Sequence, residues 1–410
     1  MKILVYGINF APELTGIGKY SSEMAAWLHA EGHEVRVITA PPYYPQWSVG
    51  PGYSASRYQR EEWHGIPVLR APLWVPRKPS GLKRMVHLVS FALSSAPALL
   101  AHWRWKPDVV WITEPPLFCA PAALAFSRLT GAKSWLHIQD YEVDAAFALG
   151  LLKNPSLQRM VLGVERWLLR RFDRVSTISE RMSERAKTKG VDLARLVSLP
   201  NWVDVSAIRP LEGPSPYRAE LGIPDDAIVA LYSGNMGGKQ GIEVLADAAV
   251  RLKDVPNIHF VLCGNGPARD DLMARCAGLP NVQFIDLQPL ERLGELLGLA
   301  DIHLLPQRAD AADLVMPSKL TGMLSSGRAV IATAHEDTEL GKVVAACGSV
   351  VAPEDAAALA ERIRWLANEP ELRRDMGLRA RAYAEEKISR GAVLRQLESD
   401  LEACVGRRSP

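Results

Sequence analysis

Short apolar segments alternate with stretches of helical period along this chain, and the alternation runs through twice. In the first half the strand candidates are Ile3–Tyr6, Glu34–Ile38, Val68–Ala71, Val109–Thr113, Ser134–Ile138, Arg174–Ser176 and Leu196–Leu199. Helical patterns at Lys19–Glu31, Leu157–Phe172 and Ser179–Lys189 lie between them. The strands are apolar without polar alternation, which predicts a parallel sheet buried on both faces. The stretch LPNWVDVSAIRPLEGPSP, residues 199–216, holds four prolines and breaks the pattern. The alternation then restarts at Ile228–Tyr232 and runs to Ser349–Val351. The last third closes in two helical patterns, Asp355–Asn368 and Arg373–Val405, the second expected to break near Ile388. The prediction is an α/β protein of two Rossmann-like, doubly wound domains, 1–205 and 206–387. A final helix from about 388 to 410 remains over.

A chain of 410 residues is long for one hydrophobic core, which agrees with two domains. Apolar residues make up 48% and charged residues 23%, the balance of a globular protein. The formal net charge is +2, so no basic excess points to nucleic acid. Cys119, Cys263, Cys276, Cys347 and Cys404 are scattered, with no C-x-x-C. Neither a disulfide frame nor a zinc site is indicated, and a reducing, cytoplasmic compartment is expected. The opening MKILVYGINFAPELTG reads as a buried first strand rather than a signal peptide. MVHLVSFALSSAPALLAHW, residues 85–103, is only moderately apolar and not a convincing membrane span. Arg77, Lys78, Lys83 and Arg84 precede its core, and Arg104 and Lys106 follow. Two readings fit: a buried helix with polar ends, or a helix lying on an anionic membrane surface through 77–106.

ALYSGNMGGKQGIEVLADAAVRL, residues 230–252, joins a strand to a helix through a glycine-rich turn. It is not a P-loop: Ser233 stands where the first glycine belongs, and Gln240 follows Lys239 in place of Ser or Thr. G-x-G-x-x-G is absent as well. What remains is an ordinary strand-to-helix turn, or a turn at Gly237 and Gly238 that lets the backbone approach an anion before a helix start near Gly241.

Four more stretches follow strands: NFAPELTGIGKYSSEMA with Gly16 and Gly18, LHIQDYEVDAA, CGNGPARD with Gly264 and Asn265, and PQRADAADLVMPSKLTGMLSSGRAV. The turn at Leu287 is a lesser candidate. In the last stretch Pro317 precedes Ser318 and Lys319 at a helix start, with Ser318 a candidate N-cap and Lys319 a point charge. Asp140, Glu142 and Asp144 form an acidic cluster suited to acid–base work or a metal, or simply a solvated loop. Asp140 stands nearest the strand end and is the preferred functional residue. His137 lies inside the strand, where a histidine reads first as a core residue.

In this order the loops resemble the retaining glycosyltransferases of family 4, which have the GT-B fold. The pieces are PELTGIGKY, STISERM, LPNWVD, YSGNMGGKQG, CGNGP and MPSKLTGMLSSGRAVIAT. MKILVYGINFAPE and HIQDYEVDAA look like the colanic-acid-type exopolysaccharide subgroup. The resemblance implies two domains facing across a cleft, with a nucleotide-diphosphate sugar bound by the C-terminal domain. It implies an acceptor, a polyprenyl-linked glycan, on the N-terminal domain, a final helix that packs back on that domain, and no metal or other cofactor. Peripheral contact with the inner face of the cell membrane would follow, and the sugar suggested is fucose on a guanine nucleotide. The donor set implied is Gly16, Gly18, Asn235, Gly237, Lys239, Gln240, Gly264, Asn265, Leu287, Ser318, Leu320 and Thr321. Lys319 and the amides of Leu320 and Thr321 would neutralise the diphosphate, with Asp140 positioning sugar or acceptor. Glu13, Lys19, Tyr20 and His137 are expected on the acceptor side. Two departures stand out. Asn235 and Gln240 occupy the places of a family Arg and Lys, and Gly322 that of a glutamate that would hold the donor ribose. Two rival readings remain: an epimerase or hydrolase opening the same bond, and a nucleotide-sugar-binding module.

Overall fold

A computed structural model describes the chain except residues 14, 15, 79, 149–153, 238, 239, 310–316 and 407–410. It divides into two compact units: Met1–Pro200 with the chain from Leu394 on, and Asn201–Val393.

The first unit runs β1 (Lys2–Tyr6), α1 (Gly16–Ala30), β2 (Glu34–Thr39), β3 (Gln59–Trp63), β4 (Ile66–Arg70), α2 (Gly81–Leu100) and β5 (Val109–Glu114). It continues with α3 (Ala120–Thr130), β6 (Lys133–Ile138), α4 (Glu142–Ala148), α5 (Pro155–Leu169), β7 (Arg174–Thr177), α6 (Glu180–Thr188) and β8 (Leu196–Ser198). The strands form one sheet in the order β3-β4-β2-β1-β5-β6-β7-β8. All neighbours are parallel except β3 and β4. β5 is buried at every residue, as a central strand covered on both faces must be. On one face Leu4, Tyr6, Ile112, Leu136 and Ile138 pack under α2, α3 and α5, whose Phe91, Leu124 and Leu168 share a single apolar cluster with them.

The second unit contains α7 (Tyr217–Glu220), β9 (Ile228–Ser233), α8 (Glu243–Arg251), β10 (Ile258–Cys263), α9 (Arg269–Arg275), β11 (Val282–Ile285) and α10 (Leu293–Leu299). β12 (Ile302–Pro306), α11 (Lys319–Ser325), β13 (Ala329–Thr333), α12 (Glu339–Cys347), β14 (Ser349–Val351), α13 (Ala356–Ala367) and α14 (Pro370–Lys387) follow. Its parallel sheet has the order β11-β10-β9-β12-β13-β14. Strand order reverses at β9, between β10 and β12, so the loops leaving β9 and β12 flank a topological switch point. α15 (Arg390–Val405) ends the described chain, and its Glu398 bonds His33 of the first unit (2.8 Å).

Both expected domain limits move. Residues 201–205 belong to the second unit, because Val203 N donates to Ile388 O and Arg390 N to Val203 O (2.9 and 2.8 Å). Val203 and Ile388 also lie in one cluster of that unit's core, which holds the chain there until Leu394. Among the elements outside the sequence expectation are β3 and α12. β3 pairs with β4 across a two-residue turn, His64-Gly65, both at positive φ. α12 starts at Thr338, whose side chain accepts from Gly341 N.

Candidate functional site

In the second unit the turn after β9 folds against the turn after β10. Gly234 N donates to Cys263 O, and Met236 N to Asn265 O (3.0 and 2.9 Å). Gly264 has φ +152°, and a Cβ there would stand 1.9 Å from the Gly234 carbonyl oxygen. Only glycine fits such an approach. Asn235 and Asn265 are exposed on this surface. Leu287 is exposed on the neighbouring turn, at 56%. Gln240 closes the β9 turn on itself: Gly237 N donates to its Oε1, and Gln240 N returns a bond to Gly237 O (both 3.1 Å). Lys239 lies outside the described residues. The helix expected at about Gly241 begins at Glu243, because Gly241 takes φ +63°, a left-handed value that delays helix entry.

Lys319, the first residue of α11, lies against the same turn. Its Nζ donates to Tyr232 Oη (2.9 Å) and stands 4.3 Å from the Tyr232 ring centroid. Tyr232 Oη in turn donates to Asn235 O (2.6 Å). A Cβ on Gly234 would meet Lys319 Nζ at 3.4 Å. Burial pulls the ammonium down to about 8. Among the described residues no carboxylate lies within ion-pair distance of it. The arrangement is a partly buried cation, uncompensated by an acid, beside a glycine-lined backbone turn, which is chemistry for an anion.

Several details of the expected α11 site change. Ser318 is exposed, helical in conformation and makes no side-chain cap bond. Leu320 N is already satisfied by Pro317 O (3.0 Å), and the Leu320 side chain is buried, so this amide is not available to a phosphate. Thr321 Oγ1 donates to Ser318 O (2.9 Å). At Gly322 a Cβ would meet Leu297 Cδ1 at 3.1 Å. α11 packs closely on α10 there, so a side chain at this position would require Leu297 to shift.

Two residues of this site escaped the sequence reading. Tyr232 sits in an apolar strand and reads as core. Arg308 packs its stem against the turn, its Cγ 2.9 Å from where a Gly241 Cβ would be. The signal for Arg308 was its place just after the end of β12.

In the first unit the expected acceptor residues are mostly interior. Glu13 is buried; its Oε1 accepts from Tyr43 N and Tyr44 N (2.9 Å each) and its Oε2 from Asn9 (2.8 Å). Burial raises its carboxyl despite these bonds. Glu13 ties two loops together and is not a free acceptor contact. Gly18 exists for the same residue, since a Cβ there would lie 2.8 Å from Glu13 Cβ. Gly16 starts α1 in open space. Lys19 lies over the Tyr20 ring at 5.2 Å, and Tyr20 itself is a buried core residue rather than an acceptor contact. His137 is buried between Ser176 Oγ (2.9 Å from Nδ1) and Gln139 Nε2 (2.8 Å from Nε2). Gln139 donates to Nε2, so Nδ1 carries the proton and donates to Ser176. Burial pushes the ring down to about 3, and this neutral core histidine does not face an acceptor.

Asp140 sits at the end of β6, half-buried. Its neighbours hold the loop in place. Gln139 N donates to Glu114 O (3.0 Å), Glu142 N to Glu114 Oε1 (3.3 Å), and Leu117 N to Glu142 Oε2 (2.8 Å). Burial, with Asp140 adding, raises the Glu142 carboxyl to about 7. Burial opposes charge on Asp144 too, but Arg185 and Lys189 outweigh it and hold that carboxyl low. The acids of this cluster thus face amides and cations. Among the described residues no group of three His, Cys, Asp or Glu is placed to hold a metal.

Comparison with known proteins agrees with the geometry. Residues 15–202 match the model of the glycosyl transferase 4-like domain, and residues 215–383 that of glycosyl transferases group 1. The chain belongs to this glycosyltransferase family. It is 46% identical over 413 residues, 98% of this chain and all of the relative, to WcaI of Escherichia coli (strain K12), named as a colanic acid biosynthesis glycosyl transferase. Its fold is GT-B. The sucrose-phosphate synthase of Thermosynechococcus elongatus superposes with TM-score 0.77 at 17% identity, covering 99% of each chain. Anabaena HepE in complex with UDP and glucose gives 0.69 at 16%, covering 98% of this chain and all of that one. Among the described residues no helix of this enzyme is long and apolar enough to cross a membrane.

Proposed function

We propose that this glycosyltransferase moves a sugar from a nucleotide-diphosphate donor to a lipid-linked oligosaccharide in exopolysaccharide synthesis, with retention at the anomeric carbon and without a metal. The observation that carries the reading is Lys319. A lysine drawn down by burial, with no acid among the described residues to compensate it, is stabilised once an anion arrives. The diphosphate lies over Gly234–Gly237 with Lys319 beside it, and Arg308 brings a second cation to the turn. As the sugar departs, negative charge grows on the leaving phosphate, and a fixed cation there lowers the barrier. With no nucleophile assigned, the acceptor hydroxyl attacks from the face the diphosphate leaves, and a phosphate oxygen takes its proton. Asp140 positions the sugar or acceptor in the first unit. The likeness to WcaI supports a role in exopolysaccharide synthesis, and the donor in this reading is a guanine-linked deoxyhexose such as GDP-fucose. A lipid-linked acceptor gives the basic 77–106 stretch a use as membrane contact on the cytoplasmic face.

Lys319→Ala tests the reading in a transfer assay. The expected loss is on the order of 2–4 kcal/mol in barrier, about thirty- to a thousandfold in rate. EDTA leaves the wild-type rate unchanged. A variant within about twofold of wild type has lost almost no transition-state stabilisation and removes Lys319 from the mechanism. Sugar released or epimerised from donor alone would favour the hydrolase or epimerase reading.

A further inference from the structure

Helices α2, α3 and α5 cover the same face of the first sheet, because their inward residues share one core cluster with Tyr6, Ile112 and Leu136. Their outward faces therefore form one layer. On α5 the residues Leu157, Met160, Val164 and Trp167 are 39%, 59%, 53% and 51% exposed. They recur at helical spacing and make a single stripe. Arg159, Arg166, Arg170 and Arg171 are exposed around it, and Arg171 lies over the Trp167 ring at 3.7 Å. The only acid of α5, Glu165, is buried against Lys189 (2.6 Å). α2 and α3 contain no acid at all, while exposing Leu82, Leu93 and Leu129 with Lys83, Arg84 and Arg128. α6, next along the sheet, carries exposed Glu180 and Glu184 and marks the edge of the patch.

We infer that the outer face of this layer, centred on the α5 stripe, docks on an anionic lipid surface. The charge complementarity selects the occupant. An apolar stripe enters the acyl boundary, the indole of Trp167 sits at headgroup depth, and arginines around it pair with lipid phosphates. The excess of arginine over acid on this face is complementary to an anionic surface and repels a basic one. The inference goes beyond the contact proposed for 77–106, because it places the principal docking element on α5. It is independent of which sugar is transferred.

Co-sedimentation of the full chain with vesicles tests it. The wild type is expected to bind phosphatidylglycerol-rich vesicles, to release with salt, and to ignore pure phosphatidylcholine. Met160→Ser with Trp167→Ser should weaken partitioning by at least about tenfold, since each removes a buried apolar group. Arg159→Glu with Arg166→Glu should do the same through charge, in exposed positions where folding is not at stake. Melting temperature and donor binding of these variants serve as folding controls. Wild-type binding by both α5 pairs overturns the inference, and so does wild-type protein that ignores anionic vesicles. If Lys83→Glu with Arg84→Glu alone releases the protein, 77–106 is the contact and α5 is not. A dimer in solution that Trp167→Ser dissociates would assign the stripe to a second copy instead.

Discussion

Burial makes the charge on Lys319 costly. Its folded value, about 8, lies below that of an exposed lysine. A base depressed on folding contributes stability above its unfolded value, and that contribution is lost as pH falls through the folded one. Below about 8 Lys319 therefore carries a buried charge with no carboxylate among the described residues at ion-pair distance, which a diphosphate would relieve. The sign for binding follows: donor affinity falls as pH rises through about 8, and binding there takes up a proton. Calorimetry of a nucleoside diphosphate in two buffers of different ionisation heat checks this; Lys319→Ala should abolish the uptake. Lys319 was legible because Pro-Ser-Lys after a strand announces a cation at a helix start. Glu13 was legible as a polar residue near a loop but not as an interior one, whereas His137 read first as core from its place inside the strand. What satisfies them, Tyr43 and Tyr44 for Glu13 and Ser176 for His137, lies far away in sequence. No local pattern reports such a partner.

α4 and the Asp140 loop before it are clamped by a buried carboxyl, Glu114, and a half-buried one, Glu142, rather than by packing alone. Glu114 is fully buried, and burial and Glu142 raise its carboxyl well above the usual range. Glu142, raised to about 7, faces Leu117 N, Asp140, Glu114 and the thiol of Cys119. Around them Glu165 and Asp144 are met by Lys189, with Arg185 on Asp144. An acid raised on folding stabilises the fold below its unfolded value, and that stability is lost as pH rises through about 7. The first unit should therefore melt lower at alkaline pH, by about 2–4 °C per kcal/mol lost for a unit of this size. Glu142→Gln should flatten that slope, and thermal scans across the range measure it; an unchanged slope would remove Glu142 as its source. The alternation of strands and helices was legible because buried parallel strands are continuously apolar. β3 was not, since Gln59–Trp63 is a polar edge strand.

The molecule is built of two α/β units, each around its own sheet. The proline-rich stretch located the boundary to within a few residues but not the return of the chain, because Val203 and Ile388, far apart in sequence, meet only in the folded second unit. Gly322, a departure from the family pattern in sequence, lies in close contact with α10 in space, where a Cβ would press on Leu297. The account depends on the second unit seating a diphosphate at the switch point between β9 and β12, where Gly234, Tyr232 and Lys319 converge. The direct measurement is a crystal structure with GDP bound. The account predicts phosphate oxygens over the Gly234–Gly237 turn and within about 3 Å of Lys319 Nζ. A nucleotide seated elsewhere, with Lys319 still bonded only to Tyr232, would contradict it.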